Sequence, residues 1–298
     1  MTWPVMEKVR MTRIAGEDQD RPRRGRLLAG GFAVALAGLM LAALMLAGPV
    51  QAQAAPRRVA LVLGNSHYRT TPLVNPVNDA ELVAGTLGRL GFEVEKHLDL
   101  SNAGMLEVVK RWLQGASQAG VRVVYYSGHG AVYRGQNFLL PVDVALQSED
   151  DLPAAAFNLD TLTARLARFE SGLNVVVLDA CRSVPTNLIQ PGVRYKGGHE
   201  GEWTPGFAPM SPPRGMLIAY STSPGAMAAD NPQLRNSVYT RNLVDQMLVP
   251  GQPVELVFRR TREAVMQASR GTQVPREDNG LVGNDFCFLL NAAGRCGR

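Results

Sequence analysis

From Arg58 onward the chain alternates short apolar runs with amphipathic stretches. Val59-Ala60-Leu61-Val62-Leu63 is a β-rich run that ends at Gly64-Asn65. Its unbroken apolar character suits a strand covered on both faces. A helical pattern follows over about 78–90 and closes at Gly91; residues 93–98 read as a second strand, and Ser101 caps a helix reaching about Gln118. A third strand covers 121–126, and 133–140 fits a hairpin with Arg134-Gly135-Gln136 as its turn. Asn158 caps a helix through Phe169, and 173–178 is a fourth strand, apolar almost throughout. A fifth strand at 216–220, helices over 238–247 and 253–269, and a last strand at 286–290 complete the pattern. Strands separated by helices in this way predict an α/β domain: a mostly parallel six-stranded sheet with helices on both faces.

Two stretches break the rhythm. Residues 182–214 are rich in Pro and Gly and longer than a structural connection needs, so they read as a mobile loop beside the site. The other is the first fifty-four residues. A basic run at Arg21, Arg23, Arg24 and Arg26 precedes an apolar stretch from Leu27 to Ala47, and Ala52-Gln53-Ala54 matches the small-x-small pattern of signal peptidase sites. A cleaved signal peptide is the first reading and a retained membrane anchor the second, since about twenty apolar residues also span a bilayer. Either places the remainder outside the cytoplasm, periplasmic or secreted, with anchoring to the inner membrane as the variant.

Composition adds two constraints. The 298 residues are 46% hydrophobic and 19% charged, so residues 55–298 can bury one sizeable core. The formal net charge is +5, but residues 1–26 hold seven Lys and Arg against four Asp and Glu. The rest is nearly balanced, with both signs interspersed, which gives nucleic-acid binding no support. The cluster Arg259, Arg260, Arg262 reads as the solvated face of an amphipathic helix. Of three cysteines, Cys287 and Cys296 could pair in an oxidising compartment, with Cys287 as a core residue of the last strand the alternative; pairing would leave Cys181 as a free thiol.

Ligands of open parallel sheets bind at the carboxyl ends of the strands. Here the third strand runs into Ser127-Gly128-His129-Gly130 and the fourth into Asp179-Ala180-Cys181-Arg182. The two ends bring an imidazole and a thiol to one edge. A thiol needs a base to become a strong nucleophile, and His is the side chain best tuned for that near neutral pH. The glycines beside His129 would let backbone approach a substrate, and the amides of Gly130 and Cys181 could stabilise an oxyanion. Singly, each residue has a bland explanation: Cys181 as a small core residue, His129 as a turn residue. Four scattered His and one nearby Cys give no metal-ligand spacing.

The spacing is also that of a known signature, a Cys in a short motif with its His about fifty residues upstream. With the opening strand into Gly64-Asn65, Asn78-Asp79-Ala80, Tyr126-Ser127-Gly128-His129-Gly130, Asp179-Ala180-Cys181-Arg182, Tyr239-Thr240 and Gln273-Val274-Pro275, the chain resembles the caspase-like cysteine peptidases, and among them the bacterial relatives of metacaspases, called orthocaspases. The resemblance spans roughly 58–290. It implies a caspase-like three-layer sandwich, with a larger part of about 57–181, the loop 182–214, and a smaller part of 215–298. It implies a cysteine endopeptidase working through a His129–Cys181 dyad and an acyl-enzyme. Asp179 stands where animal caspases carry Gln, and by position Asp79, Ser127 and Asp179 would line a first specificity pocket. Such a pocket selects Arg or Lys, so the expected partners are peptides or proteins with those residues at the cleavage site. Asp79 also reads as a helix cap, and Asp179 as a strand-end carboxylate bonded to backbone. Self-cleavage in the family directs attention to Arg194, Lys196 and Arg214. No cofactor is required. The family's calcium requirement finds Asp143, Glu149, Asp150 and Asp151, but nothing after Cys181 completes an oxygen cage, and solvated loop carboxylates are the better reading. The rival readings are a catalytically silent caspase-like binding domain, or a clostripain-like or gingipain-like peptidase.

Overall fold

The structure, a computed structural model, describes residues 56–169, 171–181, 203–205, 207–223, 231–283 and 285–297. The segment proposed for export, and Arg194 and Lys196, lie outside them. A central sheet runs in the order β2 (Glu93–Leu98), β1 (Arg58–Gly64), β3 (Val121–Tyr133), β6 (Leu173–Cys181), β8 (Met216–Tyr220), β9 (Arg276–Asn279). The first five are parallel; β9 is antiparallel to β8. Alternate residues of these strands build two cores. One packs Leu61, Leu63, Val124, Val176 and Ile218 against α2 (Asn102–Gly115) and α4 (Leu159–Leu166). The other packs Val62, Val123, Val177 and Leu217 against α1 (Pro76–Arg89), α5 (Val238–Met247) and α6 (Val254–Ala268). Strands that bury both faces read as apolar runs, which is why they were legible.

Two sequence expectations are corrected. The last strand lies at 276–279 and not at 286–290. The polar Arg276–Asn279 pairs along β8, while the apolar segment contributes an isolated bridge between Cys287 and Pro253 and packs Phe288 into the α5–α6 core. Apolar content signalled burial there, not strand pairing. The third strand also continues beyond 126: after pairing β6 as far as His129 it pairs β4 (Gln136–Leu139) through the two-residue turn Arg134-Gly135. Two short strands, β5 (Phe157–Asn158) and β7 (Trp203–Pro205), extend that edge. A single-turn α3 (Leu152–Ala155) precedes β5. β7 and the buried Phe207 belong to the stretch expected to be a loop, whose described part is therefore structured.

Caps work as the sequence predicts: Ser101 Oγ accepts from the Gly104 amide, and Asn158 Oδ1 from that of Thr161. Both helices end three residues early, at Gly115 and Leu166. Of the basic cluster, Arg259 and Arg260 are exposed, whereas Arg262 pairs with Glu277 of β9. Cys287 and Cys296 are joined by a disulfide, with Cα atoms 5.4 Å apart.

One packing detail positions the site. A Cβ on Gly64 would lie 2.6 Å from the Pro76 carbonyl oxygen and 2.7 Å from Ala80 Cβ. Only glycine lets the first turn of α1 sit on the end of β1, and that turn carries Asp79.

Candidate active site

At the carboxyl edge the parallel register pairs Gly64 with Ser127, Ser127 with Asp179, and His129 with Cys181. Side chains two apart share a face, so Ser127 and Asp179 continue the row begun by Tyr125 and Val177, toward α1 and α5. Register thus brings the backbones of His129 and Cys181 side by side on adjacent strands.

His129 is 2% exposed. Its Nε2 lies 2.9 Å from the Thr71 carbonyl oxygen, which can only accept, so Nε2 carries the proton and Nδ1 is the basic nitrogen of the neutral ring. Its backbone N–H donates to Tyr68 Oη at 2.9 Å, and the Tyr68 ring stacks at a tilt on the imidazole, with centroids 4.4 Å apart. Tyr126 Oη donates to the His129 carbonyl at 2.6 Å. Tyr68 and Thr71 come from the segment after β1. Thr71 precedes Pro72, whose ring disfavours helical backbone at Thr71. The groups that orient His129 are a backbone carbonyl and a phenol about sixty residues away, which no spacing around His129 announces. The Asn65-x-x-Tyr68 run after the first strand was the available signal.

Packing also requires the glycines that flank His129. A Cβ on Gly128 would fall 2.6 Å from both the Tyr68 and Tyr126 hydroxyls, and one on Gly130 would enter the Phe207 ring. The Leu140 amide donates to the His129 carbonyl at 3.0 Å, which makes Gly130 and Leu139 the next, non-hydrogen-bonded pair of the antiparallel ladder. The Gly130 amide consequently faces away from β4.

Asp79 and Asp179 are brought together by the first turn of α5. Ser237 N–H and Asn236 Nδ2 each donate to Asp79 Oδ1 at 2.9 Å. Ser237 Oγ and Thr240 Oγ1 donate to Asp179 Oδ2 at 2.5 and 2.7 Å. The helix-cap reading of Asp79 is corrected: it sits inside α1, whose N-cap is Asn75, and binds the start of the neighbouring helix instead. The bonds to Asp179 come from hydroxyls of α5, not only from backbone as the bland reading held. Burial, and after it the charge of Asp179, raises the Asp79 carboxyl to about 8. Asn236 and Ser237 carry no signal in the sequence beyond that of ordinary cap residues, and Thr240 entered only within the family motif Tyr239-Thr240.

Arg214 is exposed in the turn before β8, at the amino-terminal edge of the parallel sheet, whereas His129 and Cys181 stand at the carboxyl edge. In the acidic stretch the carboxylates have partners within the chain. Asp143 accepts from the Asn102 amide, Asp150 from Tyr133 and Arg134, and Asp151 from the amides of Gln147 and Ser148. Among the described residues, no three His, Cys, Asp or Glu side chains are grouped to hold a metal ion.

A parallel-sheet α/β sandwich with this strand order, and a His and a Cys in register at its carboxyl edge, is of the caspase-like peptidase class. Residues 57–284 match the family described as caspase domain, peptidase C14, and the chain belongs to that family. It is 28% identical over 194 residues to human mucosa-associated lymphoid tissue lymphoma translocation protein 1, covering 64% of this chain and 22% of that protein. The mouse homologue is 27% identical over the same length, with 64% and 21% covered. The chain thus spans about a fifth of these relatives. A solved structure of pro-sf-caspase-1 superposes with a TM-score of 0.58 at 16% identity, over 83% of this chain and 98% of that one, and so shares the fold. Family membership supports cysteine peptidase activity in general terms.

Proposed function

We propose that the domain is an endopeptidase cleaving after Arg or Lys, with Cys181 as nucleophile and His129 as acid and base. The observation that carries this is the register pairing of His129 with Cys181 beside a buried pair of carboxyls. His129 Nδ1 takes the thiol proton, and Nε2–H holds the ring against Thr71 and supports the imidazolium. The thiolate attacks the scissile carbonyl carbon, and the amides of Gly130 and Cys181 receive the charge that develops on oxygen. His129 then protonates the leaving amine, and water hydrolyses the thioester. Asp79 and Asp179, with Ser127 beside them, receive the substrate's cationic side chain. A guanidinium reaches both carboxyls through its fork of donors, so Arg is preferred to Lys. Export is part of the proposal and rests on the composition of residues 21–54; among the described residues no helix is long and apolar enough to cross a membrane.

The test is a peptide-library digest alongside Cys181→Ala and His129→Ala. Cleavage after Arg, abolished by the first variant and reduced by orders of magnitude in the second, is expected. Full activity in Cys181→Ala sinks the thiol mechanism, and cleavage after Asp sinks the acidic pocket.

A further inference from the structure

The two carboxyls of the pocket are built for unlike charge states. Asp179 accepts from Ser237 Oγ and Thr240 Oγ1, and since the Thr240 proton is spent on Asp179, Tyr125 Oη at 2.5 Å must donate to Thr240. Burial and the neighbouring carboxyls push the Tyr125 phenol up, so it stays a donor. The Ser237 and Thr240 protons point at Asp179 and the Tyr125 proton backs that of Thr240, an arrangement that suits an anion. Asp79 differs. It is 0% exposed, both donors converge on Oδ1, and Oδ2 is buried with no hydrogen-bond partner among the described residues. A second bare charge beside an existing anion is what burial opposes most.

We propose that Ser237 and Thr240 are specificity-determining residues that hold Asp179 as a standing anion, that this charge and the burial of Asp79 keep Asp79 a neutral acid, with Asn236 tempering the effect, and that a cationic side chain enters by displacing one proton from Asp79. The inference rests on the reading of this pocket as the one that receives Arg or Lys. The step balances simply: the Asp79 O–H bond breaks, its proton passes to water, and the cation takes its place at unchanged net charge. The elevated carboxyl of Asp79, at about 8, agrees with this assignment. The groups facing the pair are Tyr125 from β3, Asp179 from β6, and Asn236, Ser237 and Tyr239 from α5; Tyr239 is likewise a protonated phenol. On the outer side of α1, Glu81 is occupied by Lys96 and Arg235, each 3.9 Å away.

The experiment is calorimetric titration of the Cys181→Ala protein, which cannot turn over, with a substrate peptide carrying Arg at the cleavage position. Titrations in two buffers of different ionisation enthalpy count the protons released. About one proton should be released per peptide at pH 7 and almost none at pH 9, with Kd falling about tenfold per pH unit up to about 8 and level above. Asp79→Asn should bind with no release and a flat Kd, and Asn236→Ala, which removes a donor to the ionised form, should move the midpoint to higher pH. Binding of the Arg peptide without proton release, in protein bearing both acids, overturns the inference and leaves the pocket reading intact. Failure to bind the Arg peptide at any pH, with tight binding of a peptide bearing another residue there, overturns the pocket reading itself.

Discussion

His129 is held at its ring by Thr71 and Tyr68, at its amide by Tyr68 and at its carbonyl by Tyr126, so the phenol of Tyr68 does two jobs. Tyr68→Phe keeps the ring wall but leaves the buried His129 amide without its acceptor. The expected cost is about 1–3 kcal/mol, or roughly 10–100-fold in kcat/KM. It should fall on kcat rather than KM and alter the acid limb of the pH profile, while circular dichroism stays native. Tyr68→Leu, which also removes the wall, should lose more. An unchanged profile in both variants would deny Tyr68 a positioning role. Asp79 makes a second residue-scale prediction. Its folded-state value is raised from 3.8 to about 8, so its contribution to stability is full below pH 3.8 and is lost as pH rises through about 8. Asp79→Asn cannot ionise, so its urea midpoint should hold up better than that of the unmodified protein between pH 6 and 9. A wild-type-like decline in the variant would show that Asp79 is not the group responsible. Such a residue lowers stability for the sake of a site.

At the scale of elements, two serines cap two helices on opposite faces. Ser101 opens α2 and Ser237 opens α5, each accepting from the amide three residues on. Alanine at either should cost about 1 kcal/mol of stability. Their effects on catalysis should differ. α2 packs on the face away from Asp79, so Ser101→Ala should leave kcat/KM unchanged, whereas Ser237→Ala also removes a donor from Asp179 and should lose most cleavage after Arg. Urea denaturation read beside initial rates separates the two; equal rates in both variants would dissociate α5 from the pocket. Legibility follows the same division. The capped helices and the doubly buried strands could be read locally, because their signals repeat every few residues. The polar β9 could not, since its place depends on the β8 edge it pairs with, and 286–290 was misread as a strand for the converse reason.

For the whole molecule, the last segment is tied back across α5 and α6. The Gly251 amide donates to the Leu289 carbonyl, the Gly297 amide to that of Gly251, and the disulfide closes the segment between Cys287 and Cys296. Closing so short a loop contributes about 2–3 kcal/mol in the chain-entropy view. A Cys287→Ser, Cys296→Ser double variant should therefore unfold at lower urea while keeping its kcat/KM, since the segment is bonded at Gly251 and Pro253, beyond the end of α5 remote from Ser237. A loss of activity with stability intact would place the segment in the site. Local sequence determined the α/β alternation, the caps, and the spacing that sets His129 and Cys181 on adjacent strands, because burial and hydrogen-bonding patterns are written at periods of 2 and 3.6 residues. The caspase family's Asp79 and Asp179 could be named by resemblance alone. Their unlike surroundings could not, for Ser237 lies 158 residues from Asp79 and 58 from Asp179. Nor could the Thr71 carbonyl that selects the His129 tautomer, 58 residues away on backbone that every residue possesses. Contacts of that separation leave no periodic trace along the chain, and only the packing of α1, β3, β6 and α5 brings them together.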